Sequence, residues 1–301
     1  TYLSVATVLL IGVATTLLIC EPIRQVWSMT AKTEDHIRLC VVFVISVLAF
    51  VMTYRLMGGI LPESKSVIVA FLLGCVQFIS SAIAMGGTGY ALVSSNMVSQ
   101  EMAQATWIAP ITDFFTRYGK KAMLLLALIG LYRISDIVAG NISNIFYQDL
   151  GFSKIQIANA VKVVGVIASI GGGFIGGWVA RQMGVMRAMT VGAIFACATN
   201  LLFIVLAHMP SVFVMYFAVI TDNLAAGLAS AVFIAFLSAL TSIRFTAVQY
   251  ALFSSLMTLS PKILGGYSGA IVDATDYPTF FAMTFVIGLP ILYLIHLVNK
   301  H

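Results

Sequence analysis

The chain has 301 residues, of which 60% are hydrophobic and only 9% charged, and its mean hydropathy is +1.03. A soluble domain carries about 25% charged residues, so this composition excludes an ordinary soluble globular domain and points to an integral membrane protein. The net charge of +5 is not a nucleic-acid signal, because the basic residues sit mainly in short connections between apolar runs.

Nine predicted membrane-spanning helices follow in order, at 2–20, 37–57, 67–93, 122–147, 155–180, 187–207, 211–240, 246–272 and 278–298. Residue 1 is Thr and the first apolar run begins at once, with no signal peptide before it, so the chain reads as the later part of a longer protein. The run 67–93 is interrupted by Gly86-Gly87-Thr88-Gly89, which leaves its end open. Segment 94–121 is the longest polar connection. It holds Trp107, Pro110 and a stretch from Asp113 to Lys121 that reads as a short amphipathic helix at the membrane surface. Cys20, Cys40, Cys75 and Cys197 lie in apolar runs without CxxC spacing and read as small buried hydrophobes, neither a metal site nor a disulfide framework.

Charges in the connections set an expected orientation. Arg24, Lys32, Arg38, Arg117, Lys120, Lys121, Arg181, Arg187, Arg244 and Lys300 fall in alternate connections. The opposite ones hold Lys65, Lys154 and three aspartates, with Arg55 at a span edge. The positive-inside rule then places the end of span 2–20 and the C-terminus in the cytoplasm.

Five ionisable side chains remain inside spans, namely Arg133, Asp136, Lys162, Asp222 and Lys262. Run 122–147 is long enough to cross a bilayer, which puts Arg133 and Asp136 near its middle. They are spaced i, i+3 and share a helix face with Gly140 and Asn144. Such a pair either locks helices together as a self-neutralising clamp or lines a polar path through the membrane. Lys162 lies about two turns inside its span and can also snorkel to the surface. Asp222 is followed by Asn223, and Lys262 by contrast follows Pro261. Three cations and two carboxylates on four helices exceed what one structural clamp needs, and together they suggest a polar cavity with a positive excess.

Familiar catalytic signatures are missing. Gly171-Gly-Gly-Phe-Ile-Gly176 fits GxGxxG only formally, since it lies in an apolar helix with no strand before it. The same glycines give GxxxG spacings at Gly172/Gly176 and Gly173/Gly177, as do Gly265/Gly269, and these permit close helix packing. There is no Walker A, HExxH or GxSxG sequence, so neither an ATP motor nor an enzyme is expected, and no cofactor or metal.

Between spans at 155–180 and 187–207 runs Gly176-Gly-Trp-Val-Ala-Arg181-Gln-Met-Gly184-Val-Met-Arg187. This tight basic loop resembles the one between the second and third helices of each half in the major facilitator superfamily, with Gly184, Arg181 and Arg187 as candidate gating residues. Further segments sharpen the resemblance. Leu131-Tyr-Arg-Ile-Ser-Asp136, Phe146-Tyr-Gln-Asp-Leu-Gly151-Phe-Ser-Lys154, the run from Asp222 to Phe233 and the run from Phe245 to Leu256 resemble the AmpG-type muropeptide permeases. The resemblance covers about 120–298.

It implies an all-α polytopic membrane protein in which 1–20 is the last helix of an N-terminal half, 21–121 carries two linking transmembrane helices and the amphipathic segment, and 122–301 is the C-terminal six-helix bundle. It further implies proton-coupled import of anhydromuropeptides through the bacterial inner membrane, with the missing N-terminal half, the lipid bilayer, substrate and protons as partners and no nucleic acid. Substrate carboxylates would suit Arg133, Lys162 and Lys262, and its sugars Tyr132, Tyr147 and Tyr250, with Gln249 and Asn144 as further polar contacts. Asp222 and Asp136 are the candidate proton-coupling residues. Transport of another bulky anion such as an acetyl-CoA-like molecule on the same fold, and a non-transporting sensor or scaffold, are the alternatives.

Overall fold

The computed structural model describes residues 33–62, 64 and 66–300, with residues 10, 13–15, 17 and 18 ahead of them. Predicted span 2–20 therefore lies largely outside the described residues, as do Cys20, Arg24, Lys32 and Lys65. Among the described residues every regular element is helical. We number them α1 (Thr33–Ile60), α2 (Val67–Ser94), α3 (Ala109–Tyr118), α4 (Ala122–Leu131), α5 (Ile134–Asp149), α6 (Lys154–Met183), α7 (Val185–His208), α8 (Val212–Leu240), α9 (Thr246–Gly265), α10 (Ser268–Ala274) and α11 (Tyr277–Lys300). Seven helical runs among the described residues are long and apolar enough to cross a membrane. The protein is an all-α, multi-pass membrane protein.

Several predicted boundaries change. The Gly86–Gly89 stretch does not interrupt α2, which continues to Ser94. Gly89 instead lets α1 approach, since a Cβ there would stand 3.3 Å from Ser46 Oγ. The expected amphipathic helix is α3, opened by Pro110 in its first turn and ended at Gly119, whose φ of 51° suits glycine. A 3-10 turn, Gly119–Lys121, then leads directly into α4. Predicted span 246–272 is two helices, α9 and α10, parted at Gly266-Tyr267. α9 is long enough to span, but Gln249, Ser254, Ser255, Thr258 and Lys262 make it the most polar of the long helices beyond residue 150. Cys40 is exposed on α1 and only Cys197 is buried, which corrects the expectation for the described cysteines.

Helices α4 to α11 surround one core. Phe146, Phe203 and Phe281 meet at its centre with Phe281 5.0 Å from each of the other two ring centroids. Ring pairs of this kind add about 0.5–1.5 kcal/mol each beyond area burial. Because lipid tails are as apolar as the core, close contact matters more here than exclusion of water. The tightest contact is between α6 and α8. A Cβ on Gly172 would stand 2.1 Å from Leu224 O, one on Gly176 2.6 Å from Leu228 O, and one on Gly227 2.1 Å from Ser169 O. Of the predicted small-residue motifs, only Gly172/Gly176 works this way along both its members. Gly173, Gly177 and Gly269 face open space.

Helices α1 and α2 form a hairpin joined by Gln77 Nε2 donating to Tyr54 O at 2.7 Å and by edge-to-face packing of Phe50 on Phe78. Tyr267 anchors this hairpin to the bundle. Its hydroxyl donates to Ala70 O at 3.0 Å while its ring packs edge-on against Phe71.

Candidate functional site

The helical run that begins at α4 breaks at Tyr132-Arg133, where Arg133 leaves helical geometry at φ −103°, ψ 15°. From this break the guanidinium reaches forward one turn. Both Nε, at 3.1 Å, and Nη2, at 2.5 Å, donate to Asp136 Oδ2. Asp136 Oδ1 is left buried with no hydrogen-bond partner. A carboxylate oxygen buried without a partner is costly.

Three more helices converge beside this pair. Ser135 Oγ donates to Thr284 O of α11 at 2.8 Å and accepts from Asn200 Nδ2 of α7 at the same distance. Asn200 Oδ1 is a second buried orphan. Next to it, Thr199 interrupts α7, and its hydroxyl donates to Asp222 Oδ1 of α8 at 3.0 Å. Asp222 lies within electrostatic reach of both Asp136 and Arg133. Among the described residues no cation stands at ion-pair distance from Asp222, whereas Asp136 has Arg133. The two carboxylates therefore differ in kind. One is balanced by a fixed cation, and the other is held by a neutral hydroxyl.

Sequence reasoning found Arg133, Asp136 and Asp222 but missed Ser135, Thr199, Asn200 and Thr284. The Thr199-Asn200 pair in the middle of an apolar run was the available signal. Other expected site residues lie elsewhere. Tyr132 does not offer its ring to an open cavity. It is buried, stacks on Phe233 at 4.7 Å, and donates its hydroxyl to Met189 O at 3.1 Å. Gln249 is also buried and fully engaged, with Nε2 donating to Pro110 O and Asp113 Oδ2 and Oε1 accepting from Arg117 and the Ser242 amide. Tyr250 packs half-buried against the core. Lys262 is exposed one turn before Gly265, where α9 meets the Asn141 side chain of α5.

Lys162 and Asn144 line a cleft at the α5–α6 end together with Gln148 and Lys154. Gly184 forms the one-residue turn between α6 and α7 at φ 82°, and Arg181 and Arg187 are exposed on either side of it. Helix α5 carries the polar residues in a stripe. Its inner face buries Ile134, Val138, Ile142 and Phe146, while Gly140, Asn141, Asn144 and Gln148, together with Ile145, are exposed along the opposite side. Among the described residues no group of His, Cys, Asp and Glu side chains could hold a metal ion.

The comparisons with known proteins bear on this arrangement. No family model matches the chain. The putative transporter AmpG 4 of Rickettsia conorii is 30% identical over 205 residues, covering 68% of this chain and 49% of that protein. The anhydromuropeptide permease of Escherichia coli is 32% identical over 198 residues, covering 64% and 39%. The putative transporter AmpG 1 of Rickettsia bellii is 30% identical over 180 residues, covering 59% and 44%. Over 59% to 68% of its length this chain is similar to proteins named AmpG transporters or anhydromuropeptide permease. It spans about half the length, or less, of the curated relatives it matches.

Proposed function

We propose that this chain forms one wall of a secondary active transporter that imports anhydromuropeptides, driven by the proton gradient, through the bacterial inner membrane. In this reading residues 122–301 are the C-terminal six-helix bundle, residues 21–121 carry the linking helices, and the C-terminus is cytoplasmic, as the basic connections suggest. The transport site then lies between this bundle and a facing half, because one half offers only one wall.

The observation that carries the reading is the cluster of Arg133, at the break before α5, with Asp136 on α5 and Asp222 on α8. Ionisable groups at that depth are rare where no polar path exists. The exposed polar stripe of α5 agrees with it, since a lipid-facing helix would be apolar at Asn141, Asn144 and Gln148. Arg133 is suited to hold a substrate carboxylate, because its planar fork still has donors beyond those given to Asp136. Asp222 is suited to carry the proton. It has a neutral hydroxyl partner, so protonation costs it no ion pair.

The test is uptake of labelled anhydromuropeptide by the full-length protein in proteoliposomes under an imposed pH gradient. Accumulation above equilibrium that collapses with a protonophore supports the proposal. Uptake that stops at equilibrium whatever the gradient overturns proton coupling. Uptake of an acetyl-CoA-like anion in place of the muropeptide overturns the substrate.

A further inference from the structure

The cleft between α5 and the start of α6 has a volume of about 200 Å³ and is lined by Asn144, Gln148, Lys154, Ile157, Val161 and Lys162 among its residues. Its polar lining consists of two ammonium groups and two amides, with no carboxylate. Among the described residues neither lysine has an acidic partner within ion-pair distance. The nearest acid in sequence on α5, Asp149, is engaged by the Tyr277 hydroxyl.

Local structure brings the two lysines to one side. A regular α-helix would set positions eight apart about 80° from each other around the axis. Here residues Asn159–Val164 form a π-helical turn, which advances less per residue and swings Lys162 back toward the face of Lys154. Ser153 and Gln156 form a capping box that fixes where α6 begins, and so where Lys154 stands. On α5, Asn144 and Gln148 lie one turn apart and are joined by Gln148 Nε2 donating to Asn144 O at 3.1 Å. That acceptor is the Asn144 backbone carbonyl, and among the described residues the Asn144 side-chain amide donates to no protein group. Two unpaired cations and a spare amide donor around an acid-free cleft are the complement of an oxyanion.

We propose that Lys154 and Lys162, with Asn144, form a subsite for a carboxylate of the transported peptide-bearing substrate, separate from the Arg133 cluster. The subsite rests on the transport reading above. Its position, near the α5–α6 connection that the loop charges assign to the outer side, suits a first contact before the substrate reaches Arg133. An anionic lipid headgroup has the same oxyanion chemistry, and the test separates the two.

The probes are a short N-acetylated acidic dipeptide, its bis-amide, and labelled anhydromuropeptide. They are applied to the full-length protein in nanodiscs of neutral or of anionic lipid and, for uptake, in proteoliposomes. The proposal expects binding of the diacid and not the bis-amide, in both lipids, weakened about tenfold or more in the Lys154→Gln/Lys162→Gln variant. The Lys154→Arg/Lys162→Arg variant should retain it. Uptake should show a matching rise in KM with little change in maximal rate. Unchanged diacid binding in the Gln variant overturns the subsite. So does diacid binding lost in anionic lipid together with anionic lipid co-purifying with wild type and not with the Gln variant. Lysine-dependent diacid binding without muropeptide uptake would support the subsite and sink the transport reading. Uptake indifferent to the Gln variant would sink the subsite and leave transport standing.

Discussion

Arg117 and Gln249 are 132 positions apart, yet Nη2 of the first donates to Oε1 of the second at 2.9 Å. Arg117 also ion-pairs with Asp113 and donates to Leu240 O, the last carbonyl of α8, where a cation meets the negative end of the helix dipole. Gln249 completes the joint through Pro110 O, Asp113 and the Ser242 amide. One buried amide thus fastens α3 to α9 and to the connection after α8.

Replacing that amide tests the joint. Gln249→Ala leaves the Ser242 amide, the Pro110 carbonyl and one Arg117 donor without their partner. A buried polar group left unsatisfied costs about 1–3 kcal/mol. We expect a lower thermal midpoint for the purified full-length protein. An unchanged midpoint would mean that water replaces every bond.

Two substitutions separate the roles of the carboxylates. Asp222→Asn removes the titratable group but keeps an oxygen for Thr199, so it should abolish gradient-driven accumulation while downhill exchange survives. Asp136→Asn strips Arg133 of its counter-ion in a buried setting, and loss of one member of such a pair is costly. It should weaken substrate binding. Accumulation that still follows the pH gradient in Asp222→Asn would refute the assignment.

Glycines in one helix give an internal control. Gly172→Ala should force α6 away from α8 and destabilise by about 1–3 kcal/mol, because its methyl has no room beside Leu224 O. Gly173→Ala and Gly177→Ala meet nothing within 4 Å and should leave the midpoint unchanged. Equal effects at all three positions would argue against the packing described here.

Asp276 supplies a pH-dependent cap at the start of α11. Hydrogen bonds from Thr279, including its backbone amide at 2.7 Å, hold the carboxyl below its ordinary value of 3.8. A carboxyl lowered in the folded state stabilises above its unfolded pKa, and the effect fades as pH falls through the folded value. Asp276→Ala should therefore lower the midpoint near neutral pH, with the difference shrinking below pH 3.8. A difference that is constant with pH would contradict the charged cap.

The membrane setting and most of the spans among the described residues were legible in the sequence, since hydropathy is local along the chain. So was the i, i+3 pairing, because helix geometry alone brings those two side chains together. What the sequence could not determine is how each helix is rotated and which neighbour it meets. Gln249 and Tyr132 look like site residues in a linear reading, but rotation turns the first into a joint with α3 and the second into packing against Phe233. Ser135, Thr199, Asn200 and Thr284 look like ordinary small polar residues until α5, α7, α8 and α11 meet around them. Equivalent GxxxG spacings separate only when one pair faces α8 and the other faces open space. Those outcomes depend on contacts between residues distant in the chain, and only the tertiary structure decides them.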